Sequence, residues 1–265
     1  MPTPEQRIQQ PRSLDAPESQ RRGRRLGCVL VHGLSSSPAA LREWADAFSQ
    51  HGIDTHLVLL PGHGTKPEDL LQVQWEDWLA SVQQAVQDLR HSCDRVFVLG
   101  QSLGGTLALR VAARNEIDAV ITLAAIAYLK DWRLWFLPFL RPFLQWRQSP
   151  DNDIARDVTD IGSYDRLPLH AIEQLLELAS MVRTDLPRIQ VPALLVQSEN
   201  DHVAPPGNLD FIHERIGSPD KQLVRVRDSY HVLSLDHDRH RLIDLSIRFL
   251  HRVGYGDAAS RSPNP

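Results

Sequence analysis

The sequence predicts an α/β protein, a doubly wound and mostly parallel sheet of about six strands with an inserted helical cap. Three observations carry that prediction. Short apolar, β-branched runs alternate with helical stretches along most of the chain, the pattern of right-handed crossover units. The pentapeptide Gly100-Gln101-Ser102-Leu103-Gly104 sits between a strand-like run and a helix-forming one. After the fourth visible strand, from Ile126 to Pro187, the alternation stops, as it does where a cap is inserted over the ligand-binding edge of such a sheet.

Residues 1–25 are rich in Pro, Gln, Arg and Ser and read as a disordered tail. Leu26-Gly27-Cys28-Val29-Leu30-Val31 is a continuous apolar run, as expected of a strand buried on both faces. It ends in His32-Gly33-Leu34-Ser35-Ser36-Ser37, with Pro38 at a helix N1 position. Residues 39–51 place Leu41, Trp44, Ala45 and Phe48 on one helical stripe, and Gly52 stops it. Residues 55–60 form the next strand, closing in the turn cluster Pro61-Gly62-His63-Gly64. A helix over 75–91 precedes the strand 94–99, and residues 105–113 continue as helix beyond Ser102. Residues 118–124 are the fourth strand. A helix-like segment over 167–182 lies inside the interruption. Strand signals return at 193–197 and 222–226, with helices near 208–216 and 238–252. The expected organisation is a tail over 1–25, a core over 26–125 and 187–253, a cap over 126–186, and a loose C-terminal tail over 254–265.

A net charge of −4 and no basic excess give no reason to expect nucleic acid as a partner. Two cysteines, Cys28 and Cys93, build neither a disulfide framework nor a CxxC metal site and read as small buried residues. Arg21-Arg22-Gly23-Arg24-Arg25 has the look of a twin-arginine signal and Leu26-Gly27-Cys28 that of a lipoprotein site. Neither has the separate apolar segment that such a signal needs, so the expected location is cytoplasmic.

The chemistry starts at Ser102. A serine on a sharp strand-to-helix turn is held with its hydroxyl above the sheet, beside the free N–H groups of the following helix. A hydroxyl needs a base to become a nucleophile and a third group to orient that base. On this kind of sheet the partners follow as serine, acid, histidine. Asp201 comes directly after the strand 193–197, and His231 lies between the last strand and the last helix, so Asp201 is read as the orienting acid and His231 as the base. Glu199 and Asp228 are the rival acids, and His202, His237 and His240 read as surface or structural histidines. The two donors of an oxyanion hole are expected at the N–H groups of Leu103 and Leu34, with His32 and His63 bracing the loops around them. No metal and no organic cofactor is called for.

The set His32-Gly33, Pro61-Gly62-His63-Gly64, Gly100-Gln101-Ser102-Leu103-Gly104-Gly105, Asn200-Asp201-His202-Val203 and Ser229-Tyr230-His231-Val232 resembles the α/β-hydrolase superfamily. Within it the likeness is to small bacterial carboxylesterases and monoacylglycerol lipases, over residues 26–253. The resemblance implies an α/β-hydrolase fold lacking the superfamily's first two strands, a small helical cap, and hydrolysis of short- to medium-chain carboxyl esters. It departs at Leu34, where those relatives usually carry an aromatic residue, and in a cap rich in tryptophan and phenylalanine. Trp132, Trp135, Phe136 and Phe139 are read as lining an acyl pocket. Two other readings stay open for that run, packing of the cap onto the core and transient contact with a membrane surface, with Arg133, Arg141 and Arg147 at the headgroups. The substrate expected is a small ester or lipid. An acyltransferase or thioesterase would use the same triad, and a non-catalytic binding module on this fold is the remaining alternative.

Overall fold

Strand β2 (Leu26–Val31) is buried along its whole length, and its alternation explains the layering. Leu26, Cys28 and Leu30 pack on one face of the sheet with Trp44, Phe48, Leu242 and Leu250. Val29 and Val31 pack on the other with Trp78, Val82, Leu107 and Leu178. A run apolar on both faces can only be satisfied by helices on both sides. The computed structural model describes residues 12–16, 23–130, 145–149, 153–158 and 163–256.

The elements are β1 (Arg12–Leu14), β2, α1 (Arg42–Gln50), β3 (Ile53–Val58), α2 (Trp75–Arg90), β4 (Arg95–Gln101), α3 (Leu103–Ala112) and β5 (Ala119–Leu123). There follow β6 (Trp146–Gln148), β7 (Arg166–Pro168), α4 (Leu169–Asp185), β8 (Ala193–Ser198), α5 (Gly207–Arg215), β9 (Lys221–Val226) and α6 (Arg239–Tyr255). The main sheet has seven strands in the order β1-β3-β2-β4-β5-β8-β9. Six are parallel, and only β1 runs antiparallel, against β3. Helices α1 and α6 cover one face, and α2 to α5 cover the other. The order reverses between β2 and β4, which puts the switch point of the sheet, and its natural binding crevice, at their C-terminal ends.

Two findings differ from the sequence reading. The N-terminal stretch expected as a disordered tail contributes β1, whose register on β3 (Arg12 opposite Leu57, Leu14 opposite Thr55) is held by the Asp54 carboxylate accepting the Ala16 N–H at 2.6 Å. The expected strand-free interruption contains the antiparallel ribbon β6–β7, with the Arg166 guanidinium 4.5 Å from the centre of the Trp146 ring. Each of these strands is three residues long, too short for a period of two to register. Among the described residues no helix is long and apolar enough to cross a membrane.

Candidate active site

One residue separates β4 from α3, and that residue is Ser102. Its backbone, at φ 56° and ψ −116°, lies where a side chain is strained by roughly 1–3 kcal/mol. The surroundings enforce it. The Ser102 N–H donates to the Leu123 carbonyl at 2.8 Å, and its own carbonyl accepts the Thr106 N–H at 3.0 Å. The turn is so tight that a Cβ on Gly100 would sit 2.0 Å from the Gly104 carbonyl oxygen, and one on Gly104 would sit 2.1 Å from that of Val31. Both flanking glycines are therefore required by main-chain contact, not by flexibility.

The structure brings the three sequence-predicted side chains together at the C-terminal edge of the sheet. Ser102 Oγ lies 2.9 Å from His231 Nε2, and His231 Nδ1 lies 2.9 Å from Asp201 Oδ2. Asp201 also accepts the N–H groups of Val203 (2.9 Å) and Ala204 (2.7 Å) on Oδ1 and the Gln197 amide (3.3 Å) on Oδ2. An ionised carboxylate only accepts, so Nδ1 of the neutral ring carries the proton and Nε2 presents its lone pair to the serine hydroxyl. Ser102, Asp201 and His231 are all buried, which strengthens these contacts over the same ones in water.

The rivals are turned elsewhere. Glu199 pairs with Arg227 at 2.7 Å, an interaction that lowers its pKa. Asp228 and His237 are exposed, and His240 bonds Glu43 at 2.6 Å. His202 points to Asp153 at 2.6 Å.

The N–H groups of Leu34 and Leu103 have no partner among the described residues. Leu103 opens α3, where an unbonded N–H is expected. The Leu34 N–H shares a peptide plane with the Gly33 carbonyl, which accepts from His32 Nδ1 at 2.8 Å and from the Ser36 N–H at 3.2 Å. His32 Nε2 accepts the Leu60 N–H at 3.2 Å, so His32 is neutral with its proton on Nδ1. Burial, and secondarily the nearby His63, push its pKa well below the ordinary value. His63 is lowered by burial too; its Nε2 bonds the Leu34 carbonyl, and its ring stacks on Tyr164. The bracing read from the sequence for both histidines is therefore seen as hydrogen bonds to the main chain of residues 33 and 34. Trp132, Trp135, Phe136 and Phe139 lie outside the described residues.

Other residues around the site were not singled out by the sequence. Gln101 donates to the His231 carbonyl at 3.0 Å, and its signal was present as a polar residue buried between strand and serine. Asp153 and Asp236 grip the His231 loop, and nothing local marks them.

A parallel sheet with its switch point at β2 and β4, a strained serine there, and an imidazole bridging that serine to a buried carboxylate define an α/β hydrolase of the serine type. The chain belongs to the serine aminopeptidase S33 family, whose profile matches residues 24–238. It is 34% identical over 236 residues to a thermostable monoacylglycerol lipase of Bacillus sp. (strain H-257), covering 84% of this chain and 90% of that protein. A carboxylesterase of Bacillus subtilis (strain 168) is 23% identical over 231 residues, covering 86% of this chain and 93% of that protein. Among solved structures, one described with the metagenome-derived lipolytic enzymes LipS and LipT superposes with a TM-score of 0.85 at 29% identity, over 92% of this chain and 98% of the other.

Proposed function

We propose that this chain is a serine hydrolase that cleaves carboxyl esters of short- to medium-chain acyl groups, glycerol monoesters among them, through an acyl-enzyme. The observation that carries the reading is the unbroken run of contacts from Asp201 through His231 to Ser102, both at 2.9 Å. Ser102 Oγ attacks the ester carbonyl carbon while His231 Nε2 takes the hydroxyl proton. The carbonyl oxygen becomes an oxyanion, received by the N–H groups of Leu34 and Leu103. Collapse expels the alcohol, to which His231 returns the proton, and water repeats the sequence to release the acid. The names borne by the Bacillus relatives support esters as the substrate class.

We further read residues 126–186 as the cap on a core of residues 26–125 and 187–253. Trp132, Trp135, Phe136 and Phe139 are assigned to the acyl pocket on sequence grounds. A cytoplasmic location is likewise assigned on sequence grounds. The test is turnover of p-nitrophenyl esters and monoacylglycerols of rising chain length by the wild type and Ser102→Ala. Activity should fall with long chains and drop by about three orders of magnitude or more in the variant. Cleavage of aminoacyl anilides in preference to esters, or unchanged turnover by Ser102→Ala, would overturn the reading.

A further inference from the structure

The segment between β5 and α4 reaches into the site through one carboxylate. Asp153 Oδ2 accepts two main-chain N–H groups, from His231 at 3.1 Å and from His202 at 3.0 Å. Oδ1 accepts from His202 Nδ1 at 2.6 Å, and the Asp153 carbonyl accepts the Val232 N–H at 3.2 Å. One side chain, 12% exposed, thus bonds both the residue that carries the imidazole and the residue directly after Asp201. Its own position is fixed independently. The fully buried Asp236 accepts the N–H groups of Ala155 and Arg156 on one side and of Tyr230 and His237 on the other, and Arg156 donates to the Leu235 carbonyl.

We propose that Asp153 is a positioning residue, a carboxylate that sets the spacing of the Asp201 and His231 loops and so the reach of His231 Nε2 to Ser102 Oγ. The inference rests on His231 being the base. An oxygen that accepts from two loops at once transmits any displacement of one to the other. Removing it takes one acceptor away from each of two main-chain N–H groups. Displacement of a reacting group by about 1 Å is enough to cost on the order of a hundredfold in rate.

The test uses the full chain with Asp153→Ala, Asp153→Leu, Asp153→Asn and His202→Ala. It reads kcat and KM for p-nitrophenyl butyrate, the rate of labelling by a fluorophosphonate, and the circular dichroism spectrum. The Ala and Leu variants should lose about tenfold to a hundredfold in kcat, with KM within about twofold and the labelling rate falling by the same factor. Asn should recover to within about threefold, because its amide oxygen can take the Oδ2 place and accept both N–H groups. His202→Ala keeps its main-chain N–H and should stay within about twofold of wild type.

Wild-type kcat and labelling in folded Asp153→Ala or Asp153→Leu overturn the proposal. So does an Asn variant as impaired as Ala, or a loss confined to KM. Failure of both Ala and Leu to fold while Asn folds overturns it in favour of a purely structural role. A wild type that labels but cleaves no ester sinks only the substrate reading and leaves Asp153 to be decided by labelling rate. A wild type that does not label sinks both.

Discussion

Replacing Asp201 by Asn removes one charge and almost no volume, and its effect follows from which oxygen faces which donor. Oδ1 accepts two main-chain N–H groups, from Val203 and Ala204. An amide nitrogen cannot accept, so the Asn carbonyl must keep that place. The NH2 group then falls where Oδ2 was, 2.9 Å from His231 Nδ1. Two N–H groups cannot share that contact, so the imidazole proton moves to Nε2, which faces Ser102 Oγ at 2.9 Å. The base now offers a proton where it must receive one. The same tautomer error in a serine protease triad costs about 10⁴ in kcat, equivalent to about 5 kcal/mol of barrier. Steady-state kinetics with p-nitrophenyl butyrate measure it, with thermal melting to show that the fold survives. Turnover within tenfold of wild type would refute the assigned tautomer and with it the role given to Asp201. Glu199→Ala is the control and should leave kcat unchanged, since Glu199 is engaged by Arg227.

The other expectations concern the frame around the triad. His32→Ala removes the shorter of the two hydrogen bonds on the Gly33 carbonyl and loosens the direction of the Leu34 N–H; kcat should fall about tenfold to a hundredfold, short of the full loss of an oxyanion donor, while a change in KM alone would contradict the role. Gly104→Ala forces a Cβ to within 2.1 Å of the Val31 carbonyl oxygen, a main-chain clash that no rotamer relieves. It should cost about 3 kcal/mol or more and lower Tm by about 6 °C or more; a Tm within a degree of wild type would disprove the packing argument. His32 and His63 have folded pKa values depressed below the ordinary 6.5. Below that value the unfolded chain binds protons that the folded chain refuses. Stability is therefore full above about pH 6.5 and is lost as pH falls toward the depressed values, by at most about 1.4 kcal/mol per pH unit for each histidine. Urea midpoints from pH 8 to pH 5 check this, and stability that holds or rises on acidification would contradict it.

What could be read from the chain and what could not divides along a physical line. The serine turn is local: strand, glycine, serine, glycine and helix are contiguous, so Gly100 to Gly105 announces itself. Asp201 and His231 are distant but follow β8 and β9 directly, and parallel strands deliver such loops to one edge whatever the sequence between them. Arg12–Leu14 and the β6–β7 ribbon stayed hidden because three residues carry no periodicity. Asp153 stayed hidden for a deeper reason. Apart from the His202 imidazole, its partners are the main-chain N–H groups of His202, His231 and Val232, and every non-proline residue has an N–H, so no side-chain pattern marks those contacts.

The same feature explains how the site is held. Around the triad, polar side chains mostly grip main chain: Gln101 the His231 carbonyl, Asp153 the His231 N–H, His32 the Gly33 carbonyl and His63 that of Leu34. Such bonds fix where a peptide lies without dictating the identity of its side chain, so the N–H donor proposed at Leu34 needs no aromatic side chain. It also separates two aspartates. At Asp153 the imidazole partner is His202, whose side chain is 63% exposed, and a change of its tautomer touches no reacting atom. At Asp201 the partner is His231, buried against Ser102, and the same change misplaces the proton on which the reaction turns. One substitution, Asp to Asn, should therefore be tolerated at 153 and ruinous at 201.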